Sequence, residues 1–206
     1  MSPLCRHACP ILFALLLSSA CASNKQPETS GFLESYPELS PSIRDRDVFI
    51  WIAEDIEKGR YQRLMIDPVV LFLVDEPGGV ELSPEDRAEL ARTFREAMIE
   101  EVQDAYEIVD APAPDVLRLR FAITRVLPVP ADESRGDKNL AVDLGGATME
   151  AEALDSASGR RLAVLVSTKR AETFYTSLGI FTTLGQAKQA FREWAKLMRT
   201  GLDLRT

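Results

Sequence analysis

Apolar residues recur along this chain at two spacings, and each spacing predicts one kind of secondary structure. Between Leu82 and Tyr106 they recur every three or four residues, as on the buried face of an amphipathic helix. Ser83 suits the cap of this helix, and Pro84 suits its first turn. The same spacing over Gln186 to Asp203 predicts a second helix. The apolar stripes are Ala91, Phe94, Met98, Val102 and Ala105 in the first helix, and Ala187, Phe191, Trp194, Met198 and Leu202 in the second.

Strict alternation of apolar and polar residues predicts a strand that buries one face. It is clearest over residues 116–126, where Leu117 and Phe121 point to one side and Arg118 and Arg120 to the other. Shorter or more continuous apolar runs predict further strands. They cover residues 48–52, 64–74, 106–110, 140–155 and 160–172.

Two amphipathic helices together with four to six strands indicate an α+β fold. We expect a largely antiparallel sheet that carries both helices on one face. Within this sheet, Gly145 and Gly146 predict a bulge, and Pro68 predicts an irregular or edge position because it cannot donate a ladder hydrogen bond. Residues 156–159 predict a hairpin turn between two neighbouring strands.

The first twenty residues have the pattern of an export signal. Arg6 supplies a positive start, and the apolar run Ile11 to Leu17 is shorter than the about 20 residues that span a bilayer. Small residues follow, as signal peptidases require next to the cut. We therefore assign residues 1–20 to a signal peptide, residues 21–31 to a lipidated cysteine and flexible tether, and residues 32–206 to a single α+β domain.

Two cleavage sites fit this signal. The stretch "LSSAC" resembles a bacterial lipobox, with Ser18 where Leu is usual, and cleavage there makes Cys21 the lipid-modified (palmitate-type) first residue. Ala20-Cys21-Ala22 is instead an A-x-A site, which would release a soluble periplasmic protein. We favour the lipoprotein, because a cysteine at the end of a signal has little other use. Ala22 is not the Asp associated with inner-membrane retention, so we expect an outer-membrane anchor facing the periplasm.

Removal of the signal removes most of the reactive side chains. His7 is the only histidine of the chain, and Cys5 and Cys9 are two of its three cysteines. The domain thus lacks an imidazole for a nucleophilic triad, the ligands of a His or Cys zinc site, and internal disulfides. Loss of Arg6 leaves 23 basic against 32 acidic residues, a net charge near −9, which disfavours nucleic acid as a partner. We expect no cofactor and no metal, and attachment to a membrane through the lipid on Cys21.

Five stretches, in the order in which they occur, resemble the bacterial lipoproteins grouped as domain-of-unknown-function family 3313. The resemblance covers nearly all of the mature chain. It implies an exported, usually lipid-anchored envelope protein of Gram-negative bacteria. No activity is established for that family, so the resemblance assigns no catalytic residue. The stretches are "SGFLESYPEL" (30–39), "YQRLMIDPV" (61–69), "VLRLRFAIT" (116–124), "ATMEAEALDSASG" (147–159) and "AFREWAKLMR" (190–199).

Three acidic residues are the candidates for chemistry. Glu150 and Glu152 lie two apart on a predicted strand and so share one face. Such a pair could serve as the acid and nucleophile of a glycosidase. We favour the alternative of a solvated sheet face beside Arg118 and Arg120, since cross-strand charge pairs are common. Asp67, inside an apolar strand, could be an ion ligand or a buried acid, and we favour a hydrogen bond to irregular backbone nearby.

An apolar, non-periodic segment is the best candidate for binding a partner. Its large side chains are Phe174, Tyr175, Leu178, Ile180 and Phe181. If they are exposed, they form a patch for a protein or lipid partner, and if they are buried, they close the core under the last helix. We expect a non-catalytic binding or assembly factor of the cell envelope, with an envelope protein as partner. The alternatives are a carboxylate-based carbohydrate-active enzyme, which requires a cleft with converging carboxylates, and a periplasmic lipid-binding protein, which requires an apolar cavity.

Overall fold

The computed structural model describes residues 26–74, 82–128, 144–170 and 183–203, in which two groups of strands are each followed by a long helix. No helix within these ranges is both long and apolar enough to cross a bilayer. The elements in chain order are β1 (Ser40–Pro41), β2 (Val48–Ile52), β3 (Arg63–Ile66), β4 (Val70–Leu71), α1 (Pro84–Val102), β5 (Glu107–Ile108), β6 (Val116–Pro128), β7 (Leu144–Asp155), β8 (Arg161–Arg170) and α2 (Thr183–Asp203).

The strands of the described ranges form one mixed sheet of eight, in the order β1-β2-β8-β7-β6-β3-β5, with β4 also paired to β6. The α+β class is therefore confirmed. The expected number of four to six strands is wrong, and the expectation of a largely antiparallel sheet holds only in part, because the sheet also contains parallel pairs. β3 pairs with β5 and β6 in parallel, and β4 pairs with β6 in parallel. The parallel pairs arise because α1 crosses over the sheet between β4 and β5, so the chain returns in its original direction. The extra strands are two residues long, too short to show a period.

Local signals in the sequence place several boundaries correctly. The Ser83 side chain accepts a hydrogen bond from the Asp86 N–H at 3.1 Å and so caps α1. The hairpin between β7 and β8 is confirmed, and Gly159 in its turn has φ +72°, a left-handed conformation that glycine adopts without steric cost. The pairing of β6 with β7 shifts register around Gly145, as expected for a bulge.

The main core lies between the sheet and the two helices. Phe94 of α1 is fully buried and contacts three other aromatic rings at centroid distances of 5.0–5.6 Å. These rings belong to Phe121 of β6 and to Phe191 and Trp194 of α2. The indole N–H of Trp194 donates to the Ser167 hydroxyl of β8 at 3.1 Å. Both helices thus pack on one face of the sheet, as predicted.

The N-terminal segment, residues 26–39, lies across the other face of the sheet without forming a helix or strand. Leu33 and Leu39 are buried against Val164 and Val166 of β8 in a second, smaller core. Gln26 holds the segment at Leu39, since its side-chain amide donates to the Leu39 carbonyl and accepts from the Leu39 N–H. This arrangement covers side chains of β6, β7 and β8 that point away from the helices.

Candidate functional site

The strands β6 and β7 turn a set of charged side chains toward the covered face. Their side chains alternate, so Phe121 and Met149 enter the helix-side core while Arg120, Glu150 and Glu152 point the other way. Glu150 is 0% exposed and Glu152 is 3% exposed. The expectation of a solvated face is therefore wrong. The reason is the N-terminal segment, which excludes water from this part of the sheet.

Glu152 is held between two arginines. Its Oε1 accepts from the guanidinium of Arg120, and its Oε2 accepts from Arg161 Nε at 2.8 Å. Arg161 also donates to the Ser35 carbonyl at 2.8 Å, which ties the pair to the N-terminal segment. The pairing of this carboxylate with Arg120 agrees with the expected cross-strand ion pair. Both oxygens of Glu152 are thereby occupied by internal partners.

Glu150 is bound by the N-terminal segment itself. Its Oε1 accepts from the Ser30 N–H at 2.7 Å, and its Oε2 accepts from the Tyr36 hydroxyl. Burial, followed by this hydrogen bond to Glu150, raises the pKa of Tyr36. The Tyr36 hydroxyl stays protonated and acts as a donor. Ser30 belongs to the stretch assigned to the tether in the sequence, and here it is part of a defined hydrogen-bond network.

Asp67 pairs with a side chain, whereas the sequence predicted a hydrogen bond to irregular backbone nearby. Arg118 donates to both of its carboxylate oxygens, with the Nε at 3.0 Å from Oδ1 and the Nη2 at 2.7 Å from Oδ2. Pro68 follows directly, and β3 ends at Ile66 just before it. The three candidate carboxylates are thus each engaged by neighbouring groups. Within the described residues, no three His, Cys, Asp or Glu side chains lie close enough together to hold a metal ion.

A fourth carboxylate, which the sequence analysis did not single out, lies where β7 ends and the hairpin turn to β8 begins. Asp155, the last residue of β7, accepts from the Tyr61 hydroxyl at 2.8 Å and from Arg60 Nη2 at 3.1 Å. It also accepts from the Ser158 N–H and hydroxyl, both at 2.8 Å. Burial and the hydrogen bond to Asp155 raise the pKa of Tyr61. Asp155 thereby fixes Tyr61, whose ring lines the cavity described next.

A cavity of about 510 Å³ lies between the sheet and the C-terminal half of α2, at the end of the sheet where β7 turns into β8. Its inner wall contains the buried side chains of Leu64, Leu119 and Leu165, and its roof contains Leu197 and Met198 of α2. This volume falls in the usual range of small-molecule pockets, about 300–1,000 Å³. The lining is dominated by aliphatic side chains, so the cavity suits an apolar ligand.

Alanines create this space. Ala151 and Ala153 of β7 and Ala163 of β8 line the cavity, and Ala153 is the register partner of Ala163. The other half of the same sheet face is filled by the aromatic cluster around Phe94. Methyl groups therefore line this part of the sheet face, whereas large aromatic rings fill the other part. Two of these alanines belong to the alternating stretch "ATMEAEA" of β7, a pattern that by itself predicts only a strand.

The mouth of the cavity lies between the connection from β1 to β2 and the last turn of α2. The lining residues at this end are solvent-exposed, including Ile43, Arg44, Thr200 and Gly201. Ile43 has its whole side chain in solvent. An apolar residue at the rim of an apolar cavity extends the surface that an entering ligand can contact.

Two of the predicted sites lie outside the described residues. They are the lipidation site Cys21 and the partner-binding segment with Phe174, Tyr175, Leu178, Ile180 and Phe181. Both stay predictions.

A family model described as "Protein of unknown function (DUF3313)" matches residues 28–198. No curated protein matches the chain. The chain is similar to the solved PelC dodecamer from Paraburkholderia phytofirmans, with a TM-score of 0.41, 7% identity, and coverage of 70% of this chain and 93% of that chain. It is also similar to a DUF4136 family protein from Bacteroides thetaiotaomicron, with a TM-score of 0.40, 11% identity, and 75% and 96% coverage. Lipoprotein GNA1162 from Neisseria meningitidis gives a TM-score of 0.33, 8% identity, and 66% and 96% coverage.

Proposed function

The chain belongs to the protein family of unknown function DUF3313, and we propose that it is a lipid-anchored envelope protein that binds an apolar ligand without catalysing a reaction. The observation that carries this proposal is the aliphatic cavity of about 510 Å³ under α2. A well-formed apolar pocket is the first place to expect a ligand in a protein of unknown function. Of the three alternatives that the sequence left open, the lipid-binding protein is the one that requires such a cavity.

The charged layer on the opposite face supports binding over catalysis. A glycosidase needs two carboxyl groups that face the substrate from either side of the scissile bond. Here Glu152 is bound by two arginines, and Glu150 is bound by Ser30 and Tyr36. These contacts hold the N-terminal segment on the sheet. We therefore propose that both carboxylates stabilise the fold.

The ligand test uses a neutral fluorescent probe, N-phenyl-1-naphthylamine, titrated into the Cys21→Ser protein purified from the periplasm without detergent. Probe binding should be saturable. Ala153→Leu places a larger side chain in the cavity and should weaken probe binding by about tenfold, equivalent to about 1.4 kcal/mol. It should not lower the melting temperature, because it fills empty space.

A matched control separates the cavity from general effects of a larger side chain. Ala157 lies exposed in the hairpin turn and outside the cavity lining, so Ala157→Leu should leave probe binding unchanged. Ala163→Leu fills the same cavity from the neighbouring strand and serves if Ala153→Leu does not fold. Equal probe binding by the wild-type protein and both filled variants would overturn the proposed function.

We further propose that the protein is attached through the lipid on Cys21 to the outer membrane and faces the periplasm. The signal pattern of residues 1–20 and the "LSSAC" lipobox support this location. Cys21→Ser should move the protein from the membrane fraction to the soluble periplasmic fraction. Retention of this variant in the membrane fraction would count against the lipid anchor, and release of the wild-type protein would favour cleavage at the A-x-A site.

An envelope protein partner remains part of the proposal, with residues 174–181 as its candidate binding segment. In-cell crosslinking of the tagged protein tests it. A recurrent crosslinked partner that disappears in a Phe174→Ser, Phe181→Ser double variant would support this role. A monomer with no crosslinked partner would argue that the protein works alone with its ligand.

A further inference from the structure

Arg44 stands at the mouth of an otherwise aliphatic cavity. Among the described residues that line the cavity, it is the only basic one, and its side chain is exposed. The acidic residue among them, Glu152, has both carboxylate oxygens bound by Arg120 and Arg161. The cavity therefore combines an apolar interior with a positive charge at its mouth.

Arg44 forms no ion pair with the described residues of this acidic chain. Within the described part of the chain, its guanidinium has no carboxylate at ion-pair distance, although acidic residues outnumber basic ones by eight. Most other arginines of the described ranges are paired. They are Arg60, Arg63, Arg92, Arg118, Arg120, Arg125, Arg160, Arg161 and Arg199.

The turn that carries Arg44 is held in place by contacts that leave this side chain available. The Ser42 N–H donates to the Val48 carbonyl at 2.8 Å, and the Arg44 N–H donates to the Ser42 hydroxyl at 3.3 Å. The neighbouring carboxylate of Asp45 is occupied by Lys169 of β8 and by the Asp47 N–H. The turn is thus anchored to the sheet through its acid, while its arginine remains at the rim.

The cavity has room for one hydrocarbon chain. If each methylene occupies about the 30 Å³ that a water molecule takes in the liquid, a chain of about 16 carbons needs roughly 480 Å³. The cavity of about 510 Å³ is therefore large enough for one chain of this length. A single chain placed inside would bring its polar end to the mouth, where Arg44 lies.

We propose that the ligand is a single-chain amphiphile with an anionic head group, whose acyl tail fills the cavity and whose carboxylate or phosphate pairs with Arg44. A guanidinium forms its strongest hydrogen bonds with these two groups. This inference rests on the proposed apolar-ligand function and adds the charge of the head group and the residue that recognises it.

The test measures how palmitate, 1-palmitoyl-lysophosphatidate and hexadecanol displace N-phenyl-1-naphthylamine from the Cys21→Ser protein, below their micellar concentrations. Both anionic ligands should displace the probe at lower concentrations than the neutral alcohol of equal chain length. Arg44→Gln should weaken binding of the anionic ligands by about twofold to fivefold, as expected for an ion pair at a solvent-exposed rim. It should leave hexadecanol unchanged. The tighter of the two anionic ligands identifies the carboxylate or the phosphate as the source of the head group.

Arg46 supplies the matched control. It is exposed in the same turn but does not line the cavity, so Arg46→Gln should leave the binding of all three ligands unchanged. If palmitate, lysophosphatidate and hexadecanol bind equally well and Arg44→Gln has no effect, the head-group inference is wrong while the apolar cavity function stands. If neither the probe nor any of the three ligands binds, the proposed function itself fails.

Discussion

Replacing Asp155 by Asn removes a buried negative charge at the end of β7, where several donors converge. The carboxylate receives hydrogen bonds from Tyr61 and Arg60 on one side and from Ser158 of the hairpin turn on the other. It lies 4% exposed as a side chain. Asn presents one neutral acceptor and one donor in its place, and the donor faces groups that also donate.

The pKa of Asp155 gives the size of the effect. Burial alone would raise this pKa, but the hydrogen bonds from Ser158, the bond from Tyr61 and the charge of Arg60 outweigh burial and lower it from 3.8 to about 2. Each pKa unit corresponds to about 1.4 kcal/mol between the protonation states. The charged form of Asp155 thus stabilises the folded protein by about 2 kcal/mol at neutral pH.

The pH dependence follows from the direction of this shift. The stabilisation is fully present above the unfolded-state pKa of 3.8, and it is lost as the pH falls toward the folded-state pKa of about 2. Asn does not titrate in this range. The difference in unfolding free energy between wild type and Asp155→Asn should therefore be constant from pH 7 to pH 5 and shrink below about pH 4.

Urea unfolding followed by tryptophan fluorescence measures this difference, because Trp194 is buried in the core. The matched control is Asp115→Asn, which removes the carboxylate that pairs with Arg63 at a partly exposed position. This control should have a smaller effect than Asp155→Asn. A loss below about 0.5 kcal/mol for Asp155→Asn, the range of ordinary surface substitutions, would refute the reasoning. A difference that does not change between pH 7 and pH 3 would also refute it.

Four further substitutions at three positions probe the N-terminal segment, the cap of α1 and the aromatic core, each read by urea unfolding. Tyr36→Phe deprives buried Glu150 of a donor and should cost about 2 kcal/mol, and a neutral outcome would show that the N-terminal segment is held by other contacts. Ser83→Ala should cost about 1 kcal/mol and Ser83→Gly only a few tenths, and equal losses would argue against the capping hydrogen bond. Phe94→Ala should cost about 3–5 kcal/mol, because it removes the ring at the centre of the aromatic cluster, and a loss under about 1 kcal/mol would mean that the cluster repacks.

The helices and the central hairpin could be predicted because their signals are local. The stripe containing Phe94, Met98 and Val102 repeats at the helical period, and all three side chains are buried in α1. Ser83 marks the start of α1 through a hydrogen bond to a residue three positions away. In the same way, Gly159 marks the turn between β7 and β8. In each case the interacting groups lie within a few residues of each other.

The candidate carboxylates show where local signals end. The pattern of β7 correctly placed Glu150 and Glu152 on one face, but it could not indicate that this face is covered. The covering contact joins Ser30 to Glu150 across 120 residues of sequence. The partner of Asp67 is likewise a distant side chain, Arg118. Whether a charged strand face is solvated or buried depends on a segment whose own sequence carries no periodic signal.

By itself, the sequence determined the α+β class, the two helices, the family and the absence of histidine and cysteine chemistry from the domain, because these follow from composition, period and motif order. Only the tertiary structure decided the parallel strand pairs, the buried charged layer and the cavity. The cavity lies where Ala153 and Ala163 become register partners under the C-terminal half of α2. Arg44 lies at the mouth of the cavity because the turn between β1 and β2 is anchored there. Such features arise from the meeting of distant segments, each of which is unremarkable by itself.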